Sequence, residues 1–141
     1  MSWDKYAILE PVVHRFEKMP ELYWKIRPPT TRDEIQLSRF LMGGAFIMQG
    51  TEKVNVPHTA AEVAVFQISL LFAGTNIPLS DTDPAPVLNV GASPEMVQEY
   101  LGTLPSTVLV EIWQALGTAV PGWGPKMSED AKKGEAGETK N

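Results

Sequence analysis

Residues 60 to 73, AAEVAVFQISLLFA, place apolar side chains on nearly every side of a helical projection. A helix of that kind is stable only when other elements cover it all round. Its start is marked locally. Thr59 is followed three positions later by Glu62, the spacing of a capping box, in which each side chain satisfies the other residue's backbone N–H. The spacing predicts a helix from about 59 to 73, stopped by Gly74. Glu62, Gln67 and Ser69 interrupt the run, which falls short of the ~20 apolar residues a membrane span requires. It reads as the buried centre of a globular domain.

Other helices are marked in the same way. Thr31-Arg32-Asp33-Glu34 repeats the capping-box spacing, and Asp33 and Glu34 suit the positive end of a helix dipole. That helix is expected to run to about Met42, with Leu37, Phe40 and Leu41 inward and Gly43-Gly44 as its stop. Ser93-Pro94 opens a third helix as N-cap and first helical residue, running through Met96, Val97, Tyr100 and Leu101 to Gly102. Pro105-Ser106 opens a fourth, with Val108, Leu109, Ile112, Trp113 and Leu116 as its stripe and Gly117 as its end. Ile8, Leu9, Val12, Val13 and Phe16 recur at spacings of three and four, which predicts a helix within 3–18, interrupted at Pro11.

Extended structure is indicated in one place. In ELYWKIR, residues 21–27, Leu22, Trp24 and Ile26 alternate with Tyr23, Lys25 and Arg27, the period of a short strand. Pro28-Pro29 ends it, since neither donates a backbone hydrogen bond. Residues 45–56 are ambiguous: AFIMQG continues an apolar segment or TEKVNV forms a short extended piece. Residues 75–92 read as a long loop. The expected fold is therefore mainly α: five to six helices around the central one, with one short β strand or hairpin near the N-terminus. Residues 1–125 are read as one helical domain. Residues 126–141 are read as a disordered tail that lacks large apolar side chains after Met127 and balances four lysines against four acids.

The 141 residues carry a net charge of −5, which opposes nucleic acid as the main partner. With no cysteine, disulfide scaffolds, zinc ribbons and thiol nucleophiles are excluded. MSWDKYAILE has an acid at Asp4 and no long apolar core, unlike a signal peptide. A soluble cytoplasmic chain is expected, with no membrane contact.

Catalytic chemistry finds little support. His14 and His58 stand far apart, without metal-ligand spacing, and both read as structural or surface residues. Phosphate-binding glycine loops and nucleophile elbows are missing from the sequence. SDTD at 80–83 lacks the acids and central glycine of an EF-hand loop. No enzyme activity, cofactor or metal is expected. The four tryptophans are more informative, because Trp serves both cores and interfaces. Trp24 and Trp113 sit on apolar faces. Trp123, in the turn VPGWGPK, either staples the last helix or faces a partner.

Two stretches resemble a known family. From Tyr23 to Glu34, an apolar residue, Arg27, proline, Thr30, a basic residue and an acid follow one another between a strand and a helix. This is similar to a pattern that opens many tail assembly chaperones of long-tailed bacteriophages. VEIWQALGTAVPGWGP resembles the closing helix and Trp-Pro turn of such proteins. The likeness covers under a third of the chain, which departs from the pattern by carrying a whole expected helix before the strand. It implies a host-cytoplasmic protein that binds the tape measure protein, or tail tube subunits, during tail assembly, and is compatible with homo-oligomers. It also implies, in many members, a longer form made by frameshifting near the C-terminus, for which the codons of Lys132-Lys133 are a candidate site. An apolar groove for a partner helix would be lined by Trp24, Ile26, Trp113 and Trp123. Arg27 and Arg32 would meet acids at its rim, joined by the ring of Tyr23. The rival expectation is a small structural component of the virion, such as a tail or connector protein.

Overall fold

The computed structural model describes residues 10–43, 45–80 and 86–125. Its strands are β1 (Val12–Arg15), β2 (Tyr23–Ile26), β3 (Ala45–Gln49), β4 (Glu52–Val56) and β5 (Phe72–Thr75). Its helices are α1 (Thr31–Gly43), α2 (Ala60–Leu70), α3 (Pro94–Leu101) and α4 (Ser106–Ala119). The expectation of five to six helices with one strand or hairpin is thereby corrected. Four helices lie among the described residues, with an antiparallel sheet in the order β1-β2-β5 and a separate β3–β4 hairpin.

Three segments account for the difference. The expected helix over 3–18 gives way to β1, which pairs antiparallel with β2 from Val12 opposite Ile26 to Arg15 opposite Tyr23. β-branched Val12 and Val13 favour the pleat, and only Phe16 of the described part of the stripe is buried. Residues 1–9 lie outside the described residues. The second segment is 45–56, which folds as the hairpin, with Gly50 at φ 67° in its two-residue loop. The third is the end of the apolar helix. α2 stops at Leu70, and Phe72–Thr75 leave as β5 to pair with β2, so Gly74 lies inside a strand and does not terminate a helix. A register shift at Lys25/Ile26 accommodates this pairing.

The local start signals differ in outcome. Thr59 accepts from the backbone of Glu62, and the Glu62 carboxylate accepts from the backbone of Thr59, completing a capping box. Ser93 caps α3, with Pro94 in its first turn. At α1 the reciprocal pair is Thr30 and Asp33, one position earlier than Thr31 and Glu34. α4 passes through Gly117 and ends at Ala119.

The core forms where α2 packs against α1, α3 and α4, and where α4 covers β1 and β2. Val63, Ala64, Ile68 and Leu70 of α2 are buried, with Leu37, Val97, Leu101, Ile112 and Leu116 from the other helices. The outer side of α2's first turn, Ala60 to Glu62, faces solvent. No described helix is long and apolar enough to cross a membrane.

Candidate functional site

The stretch from Tyr23 to Glu34 is a structural junction. β2 ends at Ile26, and the backbone N–H of Arg27 donates to the Leu71 carbonyl at 2.8 Å. Its guanidinium then forms a fork on Asp33, at 2.6 and 2.9 Å, and also reaches the Leu70 carbonyl at 2.5 Å. Asp33, only 4% exposed, accepts in addition from the Thr30 backbone (2.8 Å) and hydroxyl (3.0 Å). Burial alone would push the Asp33 carboxyl up. The bonds from Arg27 and Thr30 outweigh it and hold the carboxyl below its ordinary value. The same bond raises Arg27, against the opposing effect of burial. Arg27 is therefore engaged internally, tying β2, α1 and the end of α2 together. Arg32 is exposed and has no hydrogen bond or ion pair among the described residues. Tyr23 is half-buried, its ring flanked by Lys25 Nζ at 5.4 Å and Arg15 Cζ at 5.8 Å.

The apolar candidates are core residues. Trp24 is fully buried and packs on Phe72 with ring centroids 5.1 Å apart, and Ile26 lies beside it on β2. Trp113 donates its indole N–H to Gln67 Oε1 at 2.8 Å, and the same oxygen accepts from the Gly124 backbone at 2.9 Å. Trp123 is buried and donates to Glu34 Oε1 at 3.0 Å, so the Pro/Gly turn staples α4 to α1. The turn closes because Gly122 and Gly124 adopt φ of 85° and 82°. Trp24, Ile26, Trp113 and Trp123 thus do not come together around an open groove. They fill the interior, where their area is largest and their N–H groups, Trp24 excepted, find acceptors.

The open surfaces lie elsewhere. One groove, about 260 Å³, runs between the turn after β1 and α4. Phe16, Met19, Leu22, Leu104 and Val108 form its apolar lining, and Lys18 and Glu111 its charged one. A second, about 400 Å³, lies between β1 and α4, over Val12, Val13, Ile26, Ala115 and Ala119, with Glu17 and Glu111 among its polar residues. Where they meet, His14 Nε2 lies 2.6 Å from Glu111 Oε2, which also accepts from the Glu17 backbone at 3.2 Å. Between α1 and α2, His58 stacks on Phe40 at 3.8 Å and Phe40 on Phe66 at 4.0 Å, and the two phenylalanines line a third groove with Gln98. Both histidines therefore hold structural contacts, and no metal-ligand group occurs among the described residues. Asp81 to Asp83 of SDTD lie outside them.

The first groove beside α4 is lined mostly by apolar side chains, whereas the second is lined equally by apolar residues and by His14, Glu17, Glu111, Gln114 and Thr118. The grooves are hidden in the sequence because the residues of β1 also fit the spacing of a helical stripe. The only local signal was the β-branched pair Val12-Val13. No family model, curated protein or solved structure matches the chain.

Proposed function

We propose that the chain is a tail assembly chaperone of a long-tailed bacteriophage, acting in the host cytoplasm on the tape measure protein or tail tube subunits. The reading rests on the likeness of residues 23–34 and 110–125 to that family. The observation that supports it beyond likeness is the pair of open grooves along α4, one lined mostly and the other half by apolar residues, flanked by the exposed side chains of Val13 and Met19. A chaperone for long apolar helices needs such a surface, because the partner's apolar face must be covered until assembly.

Mass spectrometry of purified particles tests the proposal. A chaperone is absent from mature virions while abundant in infected cells. Stoichiometric retention in the particle would instead make the chain a structural tail or connector component.

A further inference from the structure

We infer that the open edge of β1 takes an extended acidic segment of another protein as a fourth strand, with its carboxylates laid over Arg15, Tyr23 and Lys25. The cationic face involved is the one turned away from α4, so the site is separate from the grooves described above.

β1 ends the sheet order β1-β2-β5. The Phe16 N–H donates to the Leu22 carbonyl at 3.1 Å, continuing the register that sets Arg15 opposite Tyr23. Bonded and non-bonded pairs alternate along an antiparallel ladder. Val12 and His14 therefore bond to β2, and Val13 and Arg15 turn their N–H and carbonyl groups outward. β2 obeys the same alternation. Tyr23 donates its backbone N–H to Asn76 Oδ1 at 2.7 Å, and its carbonyl accepts from the Thr75 hydroxyl at 2.7 Å, both on the β5 side. Among the described residues nothing bonds to the outward groups of Val13 and Arg15. Such a row is a template for an added strand.

The face beside that edge is cationic. His14 points to Glu111 of α4, and Trp24 and Ile26 are buried, so the alternating side chains of Arg15, Tyr23 and Lys25 stand on the opposite face. Lys25 Nζ lies 5.4 Å and Arg15 Cζ 5.8 Å from the Tyr23 ring centroid. The Lys25 stem runs over Gly74, its Cδ 3.6 Å from where a Cβ would stand. Arg15 donates to the Pro20 carbonyl at 3.1 Å. Neither cation has a carboxylate partner among the described residues, although the chain is acidic overall. Two unpaired cations about one ring repel each other, and an incoming carboxylate offsets that repulsion.

The two features together select the occupant. Backbone pairing demands a polypeptide, and the cations demand that it be acidic. A nucleic acid is opposed by the net charge of −5 and offers the edge no strand. A second copy would bring Arg15 and Lys25 against like charges. The chain's own tail balances four lysines against four acids and so carries no net negative charge.

Fluorescence anisotropy with the full chain at low salt tests the inference. The probe is a labelled peptide of about eight residues alternating glutamate with valine, so that one face of the added strand is acidic. One control has lysine in place of glutamate. A second is N-methylated at every amide, which removes the donors a strand needs. The probe should bind at least about tenfold more tightly than either control. Arg15→Glu and Lys25→Glu should each weaken it at least about tenfold with thermal unfolding unchanged, and together they should turn the preference to the lysine peptide. On binding, the amides of Val13 and Arg15 should exchange with solvent at least about tenfold more slowly, while that of His14, already bonded to β2, should not change. Equal binding of the acidic and lysine peptides overturns the charge assignment. Undiminished binding of the N-methylated peptide, or unchanged exchange at Val13 and Arg15, overturns strand addition. Tighter binding of a single-stranded DNA of about 12 nucleotides overturns the peptide assignment. A concentration-dependent dimer abolished by Arg15→Glu would give the edge to a second copy and overturn it too. Tighter probe binding after Glu129, Asp130, Glu135 and Glu138 are all replaced by glutamine would make the chain's own tail the occupant and overturn the partner assignment. Retention of the chain in particles would reject the chaperone reading and leave these outcomes as they are.

Discussion

The Arg27 guanidinium and the Asp33 carboxylate meet in two parallel hydrogen bonds, 2.6 and 2.9 Å long, across the diproline that separates β2 from α1. The pair fixes where the strand stops and the helix starts, and through the Leu70 carbonyl it fixes the end of α2 as well. Replacing Asp33 by Ala leaves Arg27 half-buried without its counter-charge and uncaps α1. The expected loss is about 3 kcal/mol, read as a lower urea midpoint. Arg27→Lys keeps the charge but not the fork, and about 1 kcal/mol should be lost.

The same pair makes stability depend on acid. Asp33 titrates below its ordinary value in the folded chain because the bonds from Arg27 and Thr30 outweigh its burial. Its contribution is therefore complete above the unfolded value of about 4 and is lost as pH falls through the depressed folded value. Wild-type stability should fall more steeply below about pH 4 than that of Asp33→Asn, while above about pH 5 the two curves should run parallel. Chemical denaturation at a series of pH values measures both slopes. Parallel curves throughout would remove Asp33 from the acid response.

Two glycines in one turn should respond differently. Gly124 has φ 82°, and a Cβ there would meet the Gly117 backbone nitrogen at 2.7 Å, a contact real Cβ atoms do not make. Gly122 has φ 85° with nothing within 4 Å of its Cβ position. Gly122→Ala should cost about 1 kcal/mol from backbone strain alone. Gly124→Ala should cost several times more, roughly 3 kcal/mol, because α4 and the turn must separate. Thermal unfolding of the two variants checks the order.

Gln67 holds the Trp113 indole and the Gly124 backbone through one oxygen. Gln67→Leu strands both donors in the core, with an expected loss of about 3 kcal/mol. Trp113→Phe removes one donor and should cost about 1 kcal/mol alone. Combined, they should cost less than the sum, because the second substitution removes a group the first had stranded. A double-mutant cycle in urea reads the difference. Trp123→Ala should also destabilise, by about 4 kcal/mol, as expected of a buried ring that staples α4 to α1.

The legible parts of the fold were local. Thr59 with Glu62 and Ser93 with Pro94 specify helix starts within four residues, and both caps form there. TTRDE was legible only to within one position, since Thr30 with Asp33 and Thr31 with Glu34 have the same spacing. The choice falls to Arg27, which lies outside the motif and engages Asp33. What was not legible was pairing at a distance. β5 joins β2 across more than forty residues, and nothing in FAGT distinguishes a strand from the last turn of an apolar helix. The same gap hid the candidate site. Once Val12-Val13 is a strand, it faces α4 and opens a groove. Read as a helix, it makes only a stripe. Aromatic content points to binding by the tryptophans, but Trp24, Trp113 and Trp123 are buried in the core.

The proposed chaperone role is tested most directly by co-expressing the chain with a tape measure protein encoded beside it, followed by fractionation and affinity purification of the chain. If the proposal holds, the tape measure protein is soluble only when the chain is present and copurifies with it, and Val13→Asp with Met19→Asp returns it to the insoluble fraction. A tape measure protein equally soluble without the chain, and absent from the purified material, would contradict it.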